Sequence, residues 1–190
     1  MFNSMSSLPY IPYNILTYLA RQDSAEDIWK MLKYNSYDAL SKPNLTFDEK
    51  LELIWKSGPQ EKYGVFFANL VEDLICESKC IFKLYNYYIH ANELYTGTIV
   101  YAFDFLYGGQ MSLVEYNGTP VSRGDLFMNK ILATLNGAEV GGVGKLTFLD
   151  DMSRYVLGKS VIGNSKTFTG VQLFMAVNVG DTGETYGCET

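Results

Sequence analysis

The 190-residue sequence predicts an α+β fold: a helical N-terminal region followed by an antiparallel sheet in the order β-β-(β)-α-β-β, with one helix packed on one face. Three observations predict it. Apolar residues recur at helical spacing up to about residue 60. From about Val65 onward, long stretches alternate between two faces as strands do. A single well-capped helix then interrupts these strands, which is typical of a sheet with one helical layer.

Three short helices are predicted in the N-terminal region. The first covers Tyr13–Ala20 and the second begins at Ser24. The third covers Phe47–Ser57, because Thr46 and Glu49 have the spacing of a capping box at its start. The chain therefore divides into an arm, a helical region, an α+β domain and a flexible tail, at 1–12, 13–60, 61–180 and 181–190.

Alternating stretches predict the strands. Lys79–His90 and Thr98–Tyr107 predict a long antiparallel hairpin, Met111–Tyr116 a further short strand, and Thr167–Val179 the last strand. Val65–Asp73 is short and apolar, and is compatible with a strand or a helix. The sheet has large side chains on the face away from the single helix as well, so we expect other subunits to cover that face.

The segment Val121–Asp150 is central to the prediction. Its first half is one helix, capped by Ser122 with Asp125 three residues later, and stopped by Gly137. Its second half is the glycine-rich stretch GAEVGGVG, followed by the strand Lys145–Phe148. We expect this glycine-rich stretch to be a mobile arm.

The arm ends in GGVGK, which invites comparison with a phosphate-binding loop. That loop needs a glycine where Glu139 stands and a hydroxyl where Leu146 stands, and it leads into a helix rather than a strand. An interaction arm is the better interpretation.

The sequence predicts no catalytic, cofactor-binding or metal-binding site, and we expect a protein that is not an enzyme. Cys76, Cys80 and Cys188 show neither a disulfide framework nor a zinc-site pattern, so free thiols in a reducing cytoplasm are expected. The single histidine, His90, is at a strand end with no nucleophile motif nearby.

Charge and hydropathy exclude two further classes. A net charge of −6 argues against a basic surface that clamps nucleic acid, although it does not exclude a surface that lets DNA pass. No apolar run approaches the ~20 residues that span a bilayer, so no membrane partner is expected.

Several stretches resemble, in order, the neck proteins of tailed bacteriophages, namely the small head–tail connector and tail-completion (terminator-like) ring proteins. The resemblance covers about residues 25–180 and is most specific from Arg123 to Phe148. The stretches that carry it are IWKMLKYNSYDAL with LTFDEKLELI, KCIFKLYNYYI, GTIVYAFDFLY, RGDLFMNKILATLNG with GGVGKLTF, and FTGVQLFMAVNV.

The resemblance implies a virion protein that assembles in the host cytoplasm as a ring of six or twelve identical subunits, with 61–180 as the ring-forming domain. The ring would stack between portal and tail proteins, with DNA passing through it. The long helical N-terminal region leaves open whether the chain is an adaptor, a stopper or a terminator. We expect contacts between subunits or between stacked rings in the arm Ala138–Lys145, the loop Asn117–Pro120 and the polar loop Asp150–Ser165. The large faces of the strands Lys79–His90 and Thr98–Tyr107 are expected to form the subunit interface. The residues are Ala138, Glu139, Val140, Gly141, Gly142, Val143, Gly144, Lys145, Asn117, Gly118, Tyr101, Phe103 and Phe105.

Two other classes of function stay open. One is a soluble α+β ligand-binding or regulatory domain that uses the aromatic sheet face as a pocket. The other is an enzyme in which Asp104, His90 or a cysteine meets partners from elsewhere in the chain. The mass in solution separates a ring from both.

Overall fold

The computed structural model describes residues 5–68, 79–91, 97–149, 151, 160–161 and 167–179. Its α-helices there are α1 (Ile11–Arg21), α2 (Glu26–Lys33), α3 (Phe47–Glu52) and α4 (Arg123–Leu135). Its strands are β1 (Val65–Phe66), β2 (Ile81–Ala91), β3 (Gly97–Gly108), β4 (Leu113–Tyr116), β5 (Thr119–Ser122), β6 (Glu139–Val140), β7 (Gly144–Phe148), β8 (Ser160–Val161) and β9 (Thr167–Val179).

Seven strands form one sheet in the order β1-β2-β3-β9-β7-β6, with β8 paired to the start of β9. The predicted α+β class is confirmed. The sheet is mixed rather than purely antiparallel, because β1 runs parallel to β2. The short strand predicted at Met111–Tyr116 does not join it: among the described strands, β4 pairs with β5 alone, as a separate two-stranded hairpin.

The three long strands form the centre of the sheet. β2 and β3 pair from Ile81 opposite Leu106 to Ala91 opposite Gly97, and β3 pairs with β9 along its whole length. The predicted hairpin and last strand are therefore confirmed, with small changes at their ends. A bulge interrupts the β2–β3 register between Asn86 and Tyr88.

Helix α4 packs on one face of these strands, as the capping signals predict. The amide of Asp125 donates to the Ser122 hydroxyl at 3.3 Å, and the helix ends before Gly137, whose φ is +78°. The Phe127 ring stacks on the Phe105 ring, with centroids 4.5 Å apart. α1 and α2 pack into the same core, so the sheet face under α4 is covered by the chain itself.

The third helix is shorter than predicted. It keeps the complete Thr46–Glu49 capping box but ends at Glu52 instead of Ser57. Beyond that point the backbone pairs with β1: the Trp55 amide donates to the Val65 carbonyl at 2.8 Å, and the Val65 amide donates to the Leu53 carbonyl at 3.0 Å. A tertiary pairing has replaced the last helical turns.

The N-terminal boundaries also differ from the prediction. Residues Met5–Tyr10, expected in an arm, form a 3-10 helix that leads into α1, and Ile11 is fully buried. Ser24 does not cap α2, which starts at Glu26. The Ser24 hydroxyl instead forms a hydrogen bond with the Thr134 hydroxyl of α4 at 2.9 Å.

Arg123, the first residue of α4, is fully buried and joins the helical region to the sheet. Among the described residues its guanidinium has no carboxylate partner and donates mainly to backbone carbonyls. The acceptors are the carbonyls of Ser36 (2.6 Å), Met31 (3.3 Å), Tyr34 (3.3 Å) and Leu113 (3.4 Å), and the Sγ of Cys80 (3.5 Å). These acceptors belong to α2 and the segment after it, to β4, and to the residue before β2.

A buried ion pair supports the N-terminal helices. Lys50 Nζ lies 2.6 Å from Glu26 Oε2 and donates to the Ala20 carbonyl at 3.1 Å. The other carboxylate oxygen of Glu26 accepts the Leu45 amide at 2.7 Å. Both charges are thus hydrogen-bonded, which a buried pair requires if it is not to destabilise the fold.

We expect Arg123→Lys to lower the free energy of unfolding by about 3 kcal/mol, measured by urea denaturation. A lysine cannot reach acceptors in three separate segments, and buried acceptors would lose their donors. Arg21→Lys, at an exposed position on α1 where the guanidinium lies over the Phe47 ring, is the matched control and should change stability by less than about 1 kcal/mol. Equal stability of the two variants would contradict the structural role of Arg123.

We expect the Cys80 thiol to be inert in the folded protein. Burial raises its pKa to about 11, although the nearby Arg123 cation acts in the opposite direction. In a chain carrying Cys76→Ser and Cys188→Ser, the reaction with a thiol reagent at pH 8 should be roughly 100-fold slower before unfolding than after it, because only the exposed thiolate reacts. Equal rates would mean that Cys80 is accessible.

Candidate interaction surface

The outer edge of β2 is the most distinctive surface of the sheet. β1 pairs with β2 only at Phe82 and Lys83, and no other described strand lies on that side. The edge backbone from Leu84 to Ala91 is therefore without a strand partner in the part of the chain that the structure describes. A free edge of this kind can accept another strand.

The same part of β2 exposes large apolar side chains. Tyr87, Tyr88 and Ile89 are 53%, 52% and 40% exposed. The register shift between Asn86 and Tyr88 explains this, because a bulge breaks the alternation that would otherwise turn one of two adjacent tyrosines toward the core. We call Asn86–His90 the β2 edge patch.

The β2 edge patch carries no Asp, Glu, Lys or Arg. Its side chains are partly held in place: the Tyr87 ring packs on the Phe174 ring at 4.7 Å, and the Tyr88 ring stacks on the His90 ring at 6.3 Å. An ordered, uncharged aromatic surface is the kind that is enriched in protein–protein contacts.

On the opposite side of the sheet, the outer edge of β7 is covered. The Leu146 carbonyl of β7 accepts the Gly137 amide at 2.8 Å, and the Leu146 amide donates to the Ala138 carbonyl at 3.1 Å. The Phe148 amide donates to the side-chain oxygen of Asn136 at 3.0 Å. Strand addition is thus blocked along β7 by the segment that follows α4.

A polar cluster crosses the sheet on the face opposite α4. Asp104, 5% exposed, accepts from Lys83 at 3.0 Å, Tyr85 at 3.1 Å and Gln172 at 2.7 Å. These residues belong to β2, β3 and β9, so the cluster ties the three long strands together. Burial and the adjacent carboxylate raise the pKa of the Tyr85 hydroxyl, which keeps it protonated as a donor.

The glycine-rich arm is an ordered hairpin and not a mobile arm. Val140 and Val143 are buried, and the Val143 amide donates to the Val140 carbonyl at 2.9 Å. The hairpin lies close to α1, because a side chain added at Gly142 would meet Asn14. Of the contact residues predicted in this stretch, Ala138 and Gly144 are half-buried, and those that are exposed are Glu139, Gly141, Gly142 and Lys145.

The Asn117–Gly118 turn is exposed at the tip of the β4–β5 hairpin. Both residues have positive φ, +52° and +76°, which explains why this dipeptide predicts a tight hairpin turn. Its role in subunit contacts stays a prediction. Most of the loop Asp150–Ser165 lies outside the described residues.

Tyr101, Phe103 and Phe105 must be corrected from contact residues to core residues. All three side chains are fully buried within the chain, because α4 and the N-terminal helices cover this face of the sheet. The same packing fills the aromatic face that a ligand-binding domain was expected to use as a pocket.

The residues considered for catalysis have different surroundings. Asp104 is engaged by three donors, His90 is exposed near the end of β2, and Cys80 is buried beside Arg123. Cys76 and Cys188 lie outside the described residues. Within the described ranges, no group of three or more His, Cys, Asp or Glu residues could hold a metal ion, and no helix is long and apolar enough to cross a membrane.

Comparison with known proteins gives one match. The model of the YomW family matches residues 25–177, which is most of the chain. The chain belongs to the YomW family. The family takes its name from yomW of a Bacillus phage of the SPBc2 type. The protein is therefore phage-associated. No curated protein and no solved structure matches the chain.

The YomW match supports the phage component of the resemblance seen in the sequence, whereas the neck-ring assignment stays a prediction. The sequence placed the large face of Lys79–His90 in the subunit interface but did not identify the free edge and bulge that define the β2 edge patch. The signal for it was the run Tyr87, Tyr88, Ile89, since three large apolar residues in succession do not fit a strand with strict alternation.

We expect Asp104→Asn to lower the free energy of unfolding by about 3 kcal/mol, because the buried Lys83 ammonium would lose its counter-ion. Asp38→Asn is the matched control, since Asp38 pairs with Lys42 at the surface and should contribute no measurable stability. Urea denaturation measures both. A small effect of Asp104→Asn would show that the cluster does not hold the sheet together.

Proposed function

We propose that this protein is a structural component of a tailed-phage particle and forms a ring of identical subunits in the neck, between head or portal and tail. Two findings support the proposal. The YomW family is phage-associated, and the β2 edge patch combines a strand edge that no described strand pairs with and exposed aromatic side chains. The β2 edge patch is the observation on which the proposal rests.

The occupant of the β2 edge patch is a second copy of the chain. An extended partner segment would satisfy the free backbone groups and cover Tyr87, Tyr88 and Ile89 together. Because the β7 edge is closed, the sheets of neighbouring subunits do not simply continue into one another. The neighbour instead contributes a different extended segment, and the exposed turns at Asn117–Gly118 and Gly141–Gly142 are candidates for contacts between stacked rings.

A contact between two different surfaces is head-to-tail, and a head-to-tail contact closes into a ring if the rotation allows it. We propose six or twelve subunits. The net charge of −6 suits a ring through which DNA passes, because an acidic surface does not hold phosphates.

The proposed partners are further copies of the chain and the neighbouring portal, connector or tail proteins, within a virion assembled in the host cytoplasm. The role is structural rather than catalytic. Asp104 is the most buried carboxylate of the sheet. Both of its oxygens accept hydrogen bonds from donors on neighbouring strands, so its role is to hold these strands together.

We expect light scattering to show a closed oligomer whose mass is a multiple of 21.4 kDa. Tyr88→Lys should weaken association at least roughly tenfold, because a charge at the centre of an apolar edge opposes strand pairing. Tyr13→Lys, at a position of α1 with similar exposure, is the matched control and should leave the oligomer intact.

A monodisperse wild-type protein of 21.4 kDa that does not sediment with phage heads or tails would overturn the ring proposal. If Tyr88→Lys leaves the oligomer unchanged, the ring proposal stands, but the β2 edge patch is not part of the subunit interface.

A further inference from the structure

A cleft of about 230 Å³ lies between the helical region and the start of β2. Three lysines from separate segments face it: Lys33 ends α2, Lys62 ends the 3-10 helix Gln60–Lys62, and Lys79 precedes β2. The cleft is lined by Leu32, Lys33, Asn35, Leu53, Glu61, Lys62, Gly64 and Lys79. It is separate from the β2 edge patch and from the Asp104 cluster, with which it shares no residue.

The charge balance of the cleft is opposite to that of the chain. Its lining residues include three lysines and one acidic residue, Glu61, in a protein whose net charge is −6. Within the described residues, none of the three lysines forms an ion pair. The described lysines that do form ion pairs lie elsewhere, at Lys42, Lys50, Lys83 and Lys130.

Buried side chains and backbone hydrogen bonds form the floor of the cleft. Leu32 and Leu53 are buried, and the Gly64 amide donates to the Leu53 carbonyl at 3.0 Å. The Gly64 carbonyl accepts the Phe82 amide of β2 at 2.8 Å. The segments that carry Lys62 and Lys79 are therefore joined to each other through a backbone hydrogen bond between Gly64 and Phe82.

Lys79 is the least hydrated of the three ammonium groups. It is half-buried, and its Nζ donates to the backbone carbonyl of Glu61. Burial lowers its pKa, although the Glu61 carboxylate opposes this shift. An anion in the cleft would restore the interactions that the Lys79 ammonium has lost with water.

We propose that this cleft binds the phosphate group of a small molecule. Ammonium groups form strong charge-assisted hydrogen bonds with phosphate oxygens. The cleft is smaller than the roughly 300–1,000 Å³ of pockets that enclose drug-sized ligands, so it fits a phosphate group with a small substituent. The acidic remainder of the chain disfavours the extended phosphate backbone of DNA as the source of that group.

Isothermal titration at low ionic strength tests the proposal, with inorganic phosphate, pyrophosphate and a short DNA duplex as separate probes. We expect saturable binding of phosphate or pyrophosphate that weakens as salt is added. Lys62→Gln and Lys79→Gln should each weaken it roughly tenfold. Lys56→Gln removes the same charge from an exposed position outside the cleft and should leave binding unchanged.

Circular dichroism confirms that each variant is folded, and Lys62→Gln serves as the decisive variant because Lys62 is exposed. Absence of saturable phosphate and pyrophosphate binding overturns the proposal. Binding that Lys62→Gln and Lys79→Gln leave intact also overturns it, as does binding of the duplex alone.

Discussion

The burial of the Arg123 guanidinium among backbone carbonyls is the interaction on which the rest of this structure depends. A buried cation normally needs a carboxylate partner. Here the carbonyls of Met31 and Tyr34, at and just after the end of α2, are left without helical donors and lie at the negative end of the helix dipole, so they stabilise the charge. The guanidinium suits this role because its fixed donors point in several directions at once, toward three segments of the chain.

This interaction determines how the helices meet the sheet. Since Arg123 is the first residue of α4, anchoring it places Phe127 one turn later against Phe105 of β3. The glycine after it is needed for the same close approach, because a side chain at Gly124 would meet the Tyr107 hydroxyl 2.7 Å away. Helices from the N-terminal region and strands from the rest of the chain consequently share one continuous hydrophobic core.

The same packing decides which surfaces are left for partners. With the aromatic face of β3 filled from within, the β2 edge patch exposes three large apolar side chains in succession, while the β7 edge is closed by Asn136, Gly137 and Ala138. The two ends of the sheet therefore differ, and such asymmetry favours contacts between unlike surfaces over a continuous shared sheet. Membership of the YomW family gives the protein a phage context.

Local signals in the sequence were sufficient to predict those helices and strands whose formation depends on nearby residues. Capping residues and periodicity determined α4, the long β2–β3 hairpin, β9 and the α+β class, because caps and side-chain alternation act over a few residues. Long-range contacts decided the rest. Helix α3 ends where it does because the following backbone pairs with Val65. The glycine-rich hairpin is ordered because it packs close to α1. Phe103 is buried because helices distant in sequence cover it. Periodicity shows that a residue lies on a face, but only the assembled chain determines what covers that face.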